Sequence, residues 1–244
     1  MLQLVAPPAE PDRFWEAPPS FEDTPEFKFD LRPDCSYWLS LEGFNPDYAG
    51  EIISAVYVDR DWITCPYFTI EFKKAGESND RAKLKACAAA SVALYNRYLL
   101  KCGAVVIGKQ KWPDSDIEQV KHYIMTFGGH EYRIFVLRAN FASGSNEWDG
   151  CTATPICHAT CTSMAGIRRL QNWINEIHRW GLSKHATGCH ADVKTILEAG
   201  NYDVSGMDLE VDEIDVNMRR HRPPVPCDQE HVKRSREIPD AHCA

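Results

Sequence analysis

Residues 66–73 read PYFTIEFK. Along a strand, successive side chains point to opposite faces. Phe68, Ile70 and Phe72 therefore share one face, and Thr69, Glu71 and Lys73 share the other. The apolar face belongs against a core. A glutamate and a lysine on the second face are surface charges in the ordinary case and catalytic groups in the other. Upstream, Pro33-Asp34 stands at the head of CSYWLS. If the two strands pair, Asp34, Glu71 and Lys73 meet at one edge of a sheet. Two carboxylates in one place repel unless a cation lies between them. Mg2+ or Mn2+ suits hard oxygen ligands, with waters and a substrate phosphate completing the shell. A lysine beside such a pair can help deprotonate an attacking water, or stabilise charge developing on phosphate. That is the chemistry of metal-assisted phosphodiester hydrolysis. On this reading, removing the Glu71 carboxylate in the absence of metal relieves repulsion and is neutral or slightly stabilising.

A second constellation gathers Cys151, Cys157, His158 and Cys161, then His185, Cys189 and His190 beyond a helix. The Cys-x3-Cys and His-x3-Cys spacings fall in the range of short loops that close a tetrahedral zinc site. Cys157, Cys161, His185 and Cys189 are the candidate ligands of a structural Zn2+. The alternative is that these cysteines are small buried hydrophobes. A Cys/His nucleophile is a further option, but nothing in the sequence fixes its Asp or Asn partner. Arg168, Arg169, Arg179 and Lys184 lie on or just after the same helix, as a solvated face or as contacts to a phosphate backbone.

The elements that must position these groups follow from pattern. Residues 1–27 are rich in Pro, Glu and Asp and read as an irregular arm, with one helical turn at most near Phe14 and Trp15. KFDLRPDCSYWLSL suggests one or two strands, EIISAVYV another, and 66–73 the next. NDRAKLKACAAASVALYNRYLLKCG predicts a helix capped by Asn79 or Asp80 and ended by Gly103. AVVIGK reads as a short buried strand, and VKHYIMTFGGHEYRIFVLRANF as a hairpin around Gly128-Gly129. GCTATPICHATC reads as a cysteine-rich loop. A helix over 163–180 follows, with Thr162 or Ser163 as cap, Ile167, Leu170, Ile174 and Ile177 as its stripe, and Gly181 as its stop. HADVKTILEAG gives a last short helix. The expected fold class is α/β, a mixed central sheet flanked by helices. The expected boundaries are an arm at 1–27, a domain at 28–204 with a Cys/His-rich part at 150–198, and a charged tail at 205–244.

The chain has 244 residues, 44% hydrophobic, with a formal net charge of −8 and ten cysteines. This composition supports a globular core. The acidic balance argues against non-specific coating of nucleic acid but leaves room for a local basic groove. No apolar run reaches the roughly 18 residues of a membrane span, and the N-terminus lacks a secretory pattern. An intracellular location is expected, where thiols stay reduced.

RPDCSYWL and TIEFKK, in that order and followed by an Ala-rich helix, resemble the PD-(D/E)xK nucleases of the restriction-endonuclease-like superfamily. CPYFTIEFKK, ALYNRYLL and WINEIHRWGL resemble more closely the nuclease-like domain proteins of filamentous fungi, over roughly residues 28–198. The resemblance implies a restriction-endonuclease-like fold and a Mg2+- or Mn2+-dependent nuclease acting on DNA or RNA, with Asp34 and Glu71 as metal ligands and Lys73 as catalytic lysine. It adds Lys85, on the helix, as a polar residue presented to the metal, where the fungal proteins carry a glutamine. The chain departs from the family pattern in the long segment between Asp34 and Glu71, which holds a competing Pro46-Asp47 and Glu51. Glu22 and Glu26 stand where a helical glutamate of the family would be sought. Members of the superfamily that lose the metal site persist as binding modules. A catalytically silent module that binds protein or nucleic acid is therefore the alternative, and a small-molecule enzyme reusing the same carboxylates is a third.

Overall fold

A computed structural model describes residues 16–19, 32–44, 46–59, 63–74, 79–108, 112, 120–143 and 145–207. Most of the predicted arm and tail, Glu22 and Glu26 lie outside the described residues, as do Phe14 and Trp15.

The strands are β1 (Cys35–Ser40), β2 (Val58–Asp59), β3 (Ile63–Lys73), β4 (Lys121–Gly128), β5 (Glu131–Phe141) and β6 (Trp148–Thr160). They form one mixed sheet in the order β1-β3-β4-β5-β6, with β2 paired to β3. The pairings are antiparallel except β3 with β4, which is parallel. That parallel pair needs a crossover connection, and α2 (Asn79–Ile107) provides it. Ala82, Ala86 and Ala90 are fully buried on α2, and their small side chains let the helix axis lie close to the sheet. Leu94 and Tyr98 continue the same stripe into a core shared with Ile124, Phe135 and Leu137.

The opposite face carries Phe68, Ile70, Met125 and Ile134, packed with Ile177 of α3 (Met164–Trp180). His178 stands edge-on to Tyr37 and Phe68, and Trp180 edge-on to Tyr123. Helices thus cover both faces, as expected for the fold class. The remaining helices are α1 (Ala49–Ala55) and α4 (Ala186–Ala199). α4 joins α2 through a buried network in which Arg97 reaches Asp192 Oδ2 at 2.6 Å and Lys101 reaches Oδ1 at 3.1 Å. No helix among the described residues is long and apolar enough to cross a membrane.

Four expectations are corrected. EIISAVYV is mostly α1 and contributes only Val58 to β2; Val56 N donates to Ile52 O, the i to i−4 bond of a helical turn. Gly103 does not end α2, and AVVIGK is largely its last turn, with Val106 and Ile107 exposed rather than buried. At Gly103 a Cβ would stand 3.5 Å from Ile196 Cδ1, so the glycine marks close packing of α4 on α2. The cysteine-rich segment is the long edge strand β6. Gly181 is not a stop either. The chain runs on through a widened helical turn, Gly181–His185, into α4. Glycine is required there because the Tyr67 ring fills the space a Cβ would occupy. The Ser163 cap holds, with its side chain accepting from Gly166 N.

Two predictions follow from this packing. Gly181→Ala should cost about 1–3 kcal/mol through overpacking against Tyr67, read as a lowered urea midpoint with an unchanged m-value. The second concerns acid. Burial pushes His122 down to about 3, and burial together with the Arg97 charge pushes His185 down to about 3. Both rings stay neutral in the fold while the unfolded chain takes up protons near 6.5. Their contribution is full above pH 6.5 and is lost as pH falls from 6.5 toward 3. Each histidine should remove about 1.4 kcal/mol of stability per pH unit in that window, measurable by denaturant titration at pH 7, 6, 5 and 4.

Candidate functional site

Glu71 lies on β3 with 0% relative exposure, although the strand opens to solvent at the next residue, Phe72. Its Oε1 accepts from Lys73 Nζ at 2.8 Å on the same strand and from Lys85 Nζ at 2.8 Å on α2. Two chain features produce this convergence. Lys73 is two positions on and so shares the Glu71 face. Lys85 lies in the second turn of a helix that starts only a short connection after the strand, and so passes back over it. The side chain of Lys73 is 17% exposed and that of Lys85 38% exposed. The ammonium groups thus reach from the water side onto a fully buried carboxylate. Glu71 Oε2 is buried and has no hydrogen-bond partner among the described residues.

Asp34 sits immediately before β1 and is exposed. Register pairs Cys35 with Ile70, which puts Asp34 beside Glu71 at the end of the antiparallel pair. Asp34 Oδ2 accepts a hydrogen bond from Phe72 N at 2.7 Å. One of its oxygens therefore caps an otherwise open strand N–H and fixes the side chain at the Glu71 end of β3. The structure brings Asp34, Glu71, Lys73 and Lys85 to one end of the sheet, three of them in direct ion-pair contact.

Sequence reasoning missed how far this polar end extends. Glu71 pairs with Thr126 on β4, Thr126 with Arg133 on β5, and Arg133 with His158 on β6. Directly paired residues share a face, so a polar row crosses the sheet beneath the start of α2. Thr126 is buried with its hydroxyl unpartnered among the described residues, and the Arg133 Nε is likewise unpartnered. Arg133 NH1 lies 3.9 Å from Asp80 Oδ1 in the first turn of α2. Thr126 and Arg133 face each other because both lie three residues from the Gly129-His130 turn, a register that becomes legible only once the turn is placed.

The four candidate zinc ligands are not gathered into one group among the described residues. Cys157 lies within β6 and Cys161 just past its end, so four residues of extended chain span about 13 Å instead of closing a loop. Cys157 is buried opposite Ile134, and Cys161 N donates to His130 O. His185 and Cys189 lie a helical turn apart and turn instead toward Cys65 on β3. Among the described residues no group of three or more His, Cys, Asp or Glu side chains is placed to hold a metal ion. The basic residues Arg168, Arg169 and Arg179 lie on α3, and Lys184 follows it, against the sheet face opposite the Glu71 row; Arg179 is paired with Glu176. The competing Asp47 and Glu51 lie in the α1 region, not on the strands of the row.

No family model, no curated protein and no solved structure matches the chain.

The structure reverses one expectation. The like charges around Glu71 are two lysines, not a second carboxylate pressed against it. Neutralising the carboxylate leaves two ammonium groups facing each other across an uncharged amide, so Glu71→Gln should cost about 3 kcal/mol even without metal. Lys85→Met, which removes the more exposed partner, should cost at most about 1 kcal/mol. Equilibrium denaturation of the two variants in chelator checks both values; a neutral Glu71→Gln contradicts the ion-pair account.

Proposed function

We propose that this chain is a metal-dependent phosphodiesterase acting on DNA or RNA, built on a restriction-endonuclease-like sheet, with Asp34, Glu71, Lys73 and Lys85 as its site. The observation that carries the reading is Glu71. Holding a carboxylate out of water costs several kcal/mol unless partners repay it, and an apolar residue would fill the position without that cost. Its second oxygen is left without a partner among the described residues next to the orphaned Thr126 hydroxyl. A buried polar atom without a protein partner leaves room for a water or an ion to satisfy it. The order of elements supports the same reading. Asp34 heads the first strand, Glu71 and Lys73 close its antiparallel neighbour, and a helix leads to a strand parallel to that neighbour. That is the order on which the resemblance to PD-(D/E)xK nucleases rests.

The donor set fits a hard divalent cation, since Asp34 and Glu71 offer carboxylate oxygens only and Mg2+ needs one or two such groups. When bound, Mg2+ or Mn2+ would stabilise charge on the phosphoryl oxygens and acidify a water. The chain's own groups do the rest. Lys73, fixed by its bond to Glu71, holds a proton-transfer and charge-stabilising group at a set position. Lys85 brings a second cation from α2, facing the side from which a phosphate would arrive. Arg133, one strand beyond Thr126, offers a guanidinium able to hold a phosphate in two-point fashion.

One observation favours the second reading, a silent nuclease-fold module. The Lys73 and Lys85 ammonium groups already take Glu71 Oε1, leaving only Oε2 to a cation, and two carboxylates with two lysines sum to no net charge. Substitution at Lys85 separates the two. On the enzyme reading, plasmid, single-stranded DNA or RNA is cleaved with Mg2+ or Mn2+ and not with chelator. Glu71→Gln and Lys73→Met each lower the rate by about 100-fold or more. Absence of cleavage in the parent, with cleavage or metal binding gained in Lys85→Gln, establishes the silent reading instead.

A further inference from the structure

The densest group of ionisable side chains outside the candidate site lies where β3 meets α2 and α4. Cys65, near the start of β3, and Cys189, in α4, are both buried. The Cys189 thiol is hydrogen-bonded to the Cys65 sulfur; Thr64 Oγ1, whose single proton goes to Tyr57 O at 2.6 Å, lies 3.5 Å from that sulfur. His185 bridges the two residues: its Nε2 lies 3.0 Å from Cys65 O and 3.6 Å from Cys189 Sγ. A carbonyl oxygen can only accept, so the His185 proton resides on Nε2, and the ring holds the two cysteines together without acting as a base. Arg97 is buried nearby, tied to Asp192 three residues beyond Cys189. Its fixed positive charge acts on both sulfurs.

The backbone adds a second, independent sign. Cys65 has φ +46°, in the left-handed region, within a strand. A non-glycine residue held there stores backbone strain, and such strain persists where the surroundings impose it. The register of β3 on β1 shifts between Thr64 and Phe68, so Cys65 sits in a bulge that breaks the strand alternation there.

We infer that Cys65 and Cys189 are a redox-active dithiol that closes to a disulfide between β3 and α4 on exposure to hydrogen peroxide. The inference is independent of the proposed nuclease activity. The step balances as follows. The Cys65 thiolate attacks the terminal peroxide oxygen, the O–O bond breaks, and the departing hydroxide takes a proton to leave as water. This forms a sulfenic acid on Cys65. The Cys189 sulfur then attacks the Cys65 sulfur and the S–O bond breaks. The sulfenic oxygen leaves with the Cys189 proton as a second water. The dithiol gives up two electrons and the peroxide accepts them. Cys65 is assigned as the attacking sulfur because the residue keeps 7% exposure where Cys189 has none, so peroxide reaches it first, beside the buried Arg97 charge. A cysteine only 7% exposed selects a small, uncharged oxidant.

Peptide mapping of the full chain decides the matter. The reduced protein is treated with hydrogen peroxide, its remaining thiols are blocked with N-ethylmaleimide after denaturation, and the non-reduced digest is read by mass spectrometry. The expected result is a linked peptide joining Cys65 to Cys189, lighter than the sum of its parts by two hydrogens and separated by reduction. In Cys189→Ser, dimedone should trap the Cys65 sulfenic acid, which the parent does not accumulate. Both cysteines recovered as maleimide adducts after peroxide has consumed other thiols overturns the inference. So does Cys65 linked to any other cysteine. The parent mapping stands alone if the variant fails to fold.

Discussion

A carboxylate kept wholly out of water between two ammonium groups is the constraint on which this molecule turns. Glu71 cannot sit at the end of β3 unless Lys73 shares its face and α2 delivers Lys85 to the same oxygen. The first condition requires an unbroken strand alternation. The second requires a short connection after β3 and a helix that lies tightly on the sheet, which the alanines at 82, 86 and 90 allow. The parallel pairing of β4 with β3 is then the way for the chain to return beneath α2 and place Thr126 beside Glu71. The ion-pair cluster and the crossover topology support each other, and neither would hold without the other.

A second buried polar network fixes the other end of α2. Arg97 and Lys101 converge on Asp192, so α4 is bound to α2 by charge as well as by the contact at Gly103. Both networks place cations on α2 and an anion on a neighbouring element. Removing one partner from either leaves an uncompensated charge, which is costly in a low-dielectric interior. α2 therefore registers the candidate site against α4 and, through it, against the Cys65 end of β3. A strained Cys65 and a buried Glu71 lie on the same strand.

Much of this was legible from residue pattern. The alternation of PYFTIEFK gave β3, the alanine-rich run gave α2, and Gly128-Gly129 gave the β4–β5 hairpin. Asp34 and Glu71 were placed together by a strand pairing that register now shows. The failures share a physical cause, which is that glycine, cysteine and β-branched runs are judged locally while their roles are set by distant partners. Gly181 reads as a stop, yet it is there because the Tyr67 ring needs its space. The β-branched run after Gly103 reads as a strand, yet helix hydrogen bonding carries through it. Cysteine spacing on 151–161 reads as a metal loop, but pairing with β5 stretches it into β6. The cross-sheet row from Glu71 to His158 could not be read from sequence, because register between non-adjacent strands has no local signature.

The central claim is that Asp34 and Glu71 together form a site for a hard divalent cation. Titration calorimetry with Mn2+ on the full chain, compared with Asp34→Asn, tests it most directly, because asparagine keeps an acceptor for the Phe72 N–H while removing the charge. The account predicts about one Mn2+ bound per chain in the parent, competed by Mg2+, with affinity falling at least about tenfold in Asp34→Asn. No Mn2+ binding in the parent, or equal binding in the two proteins, contradicts it.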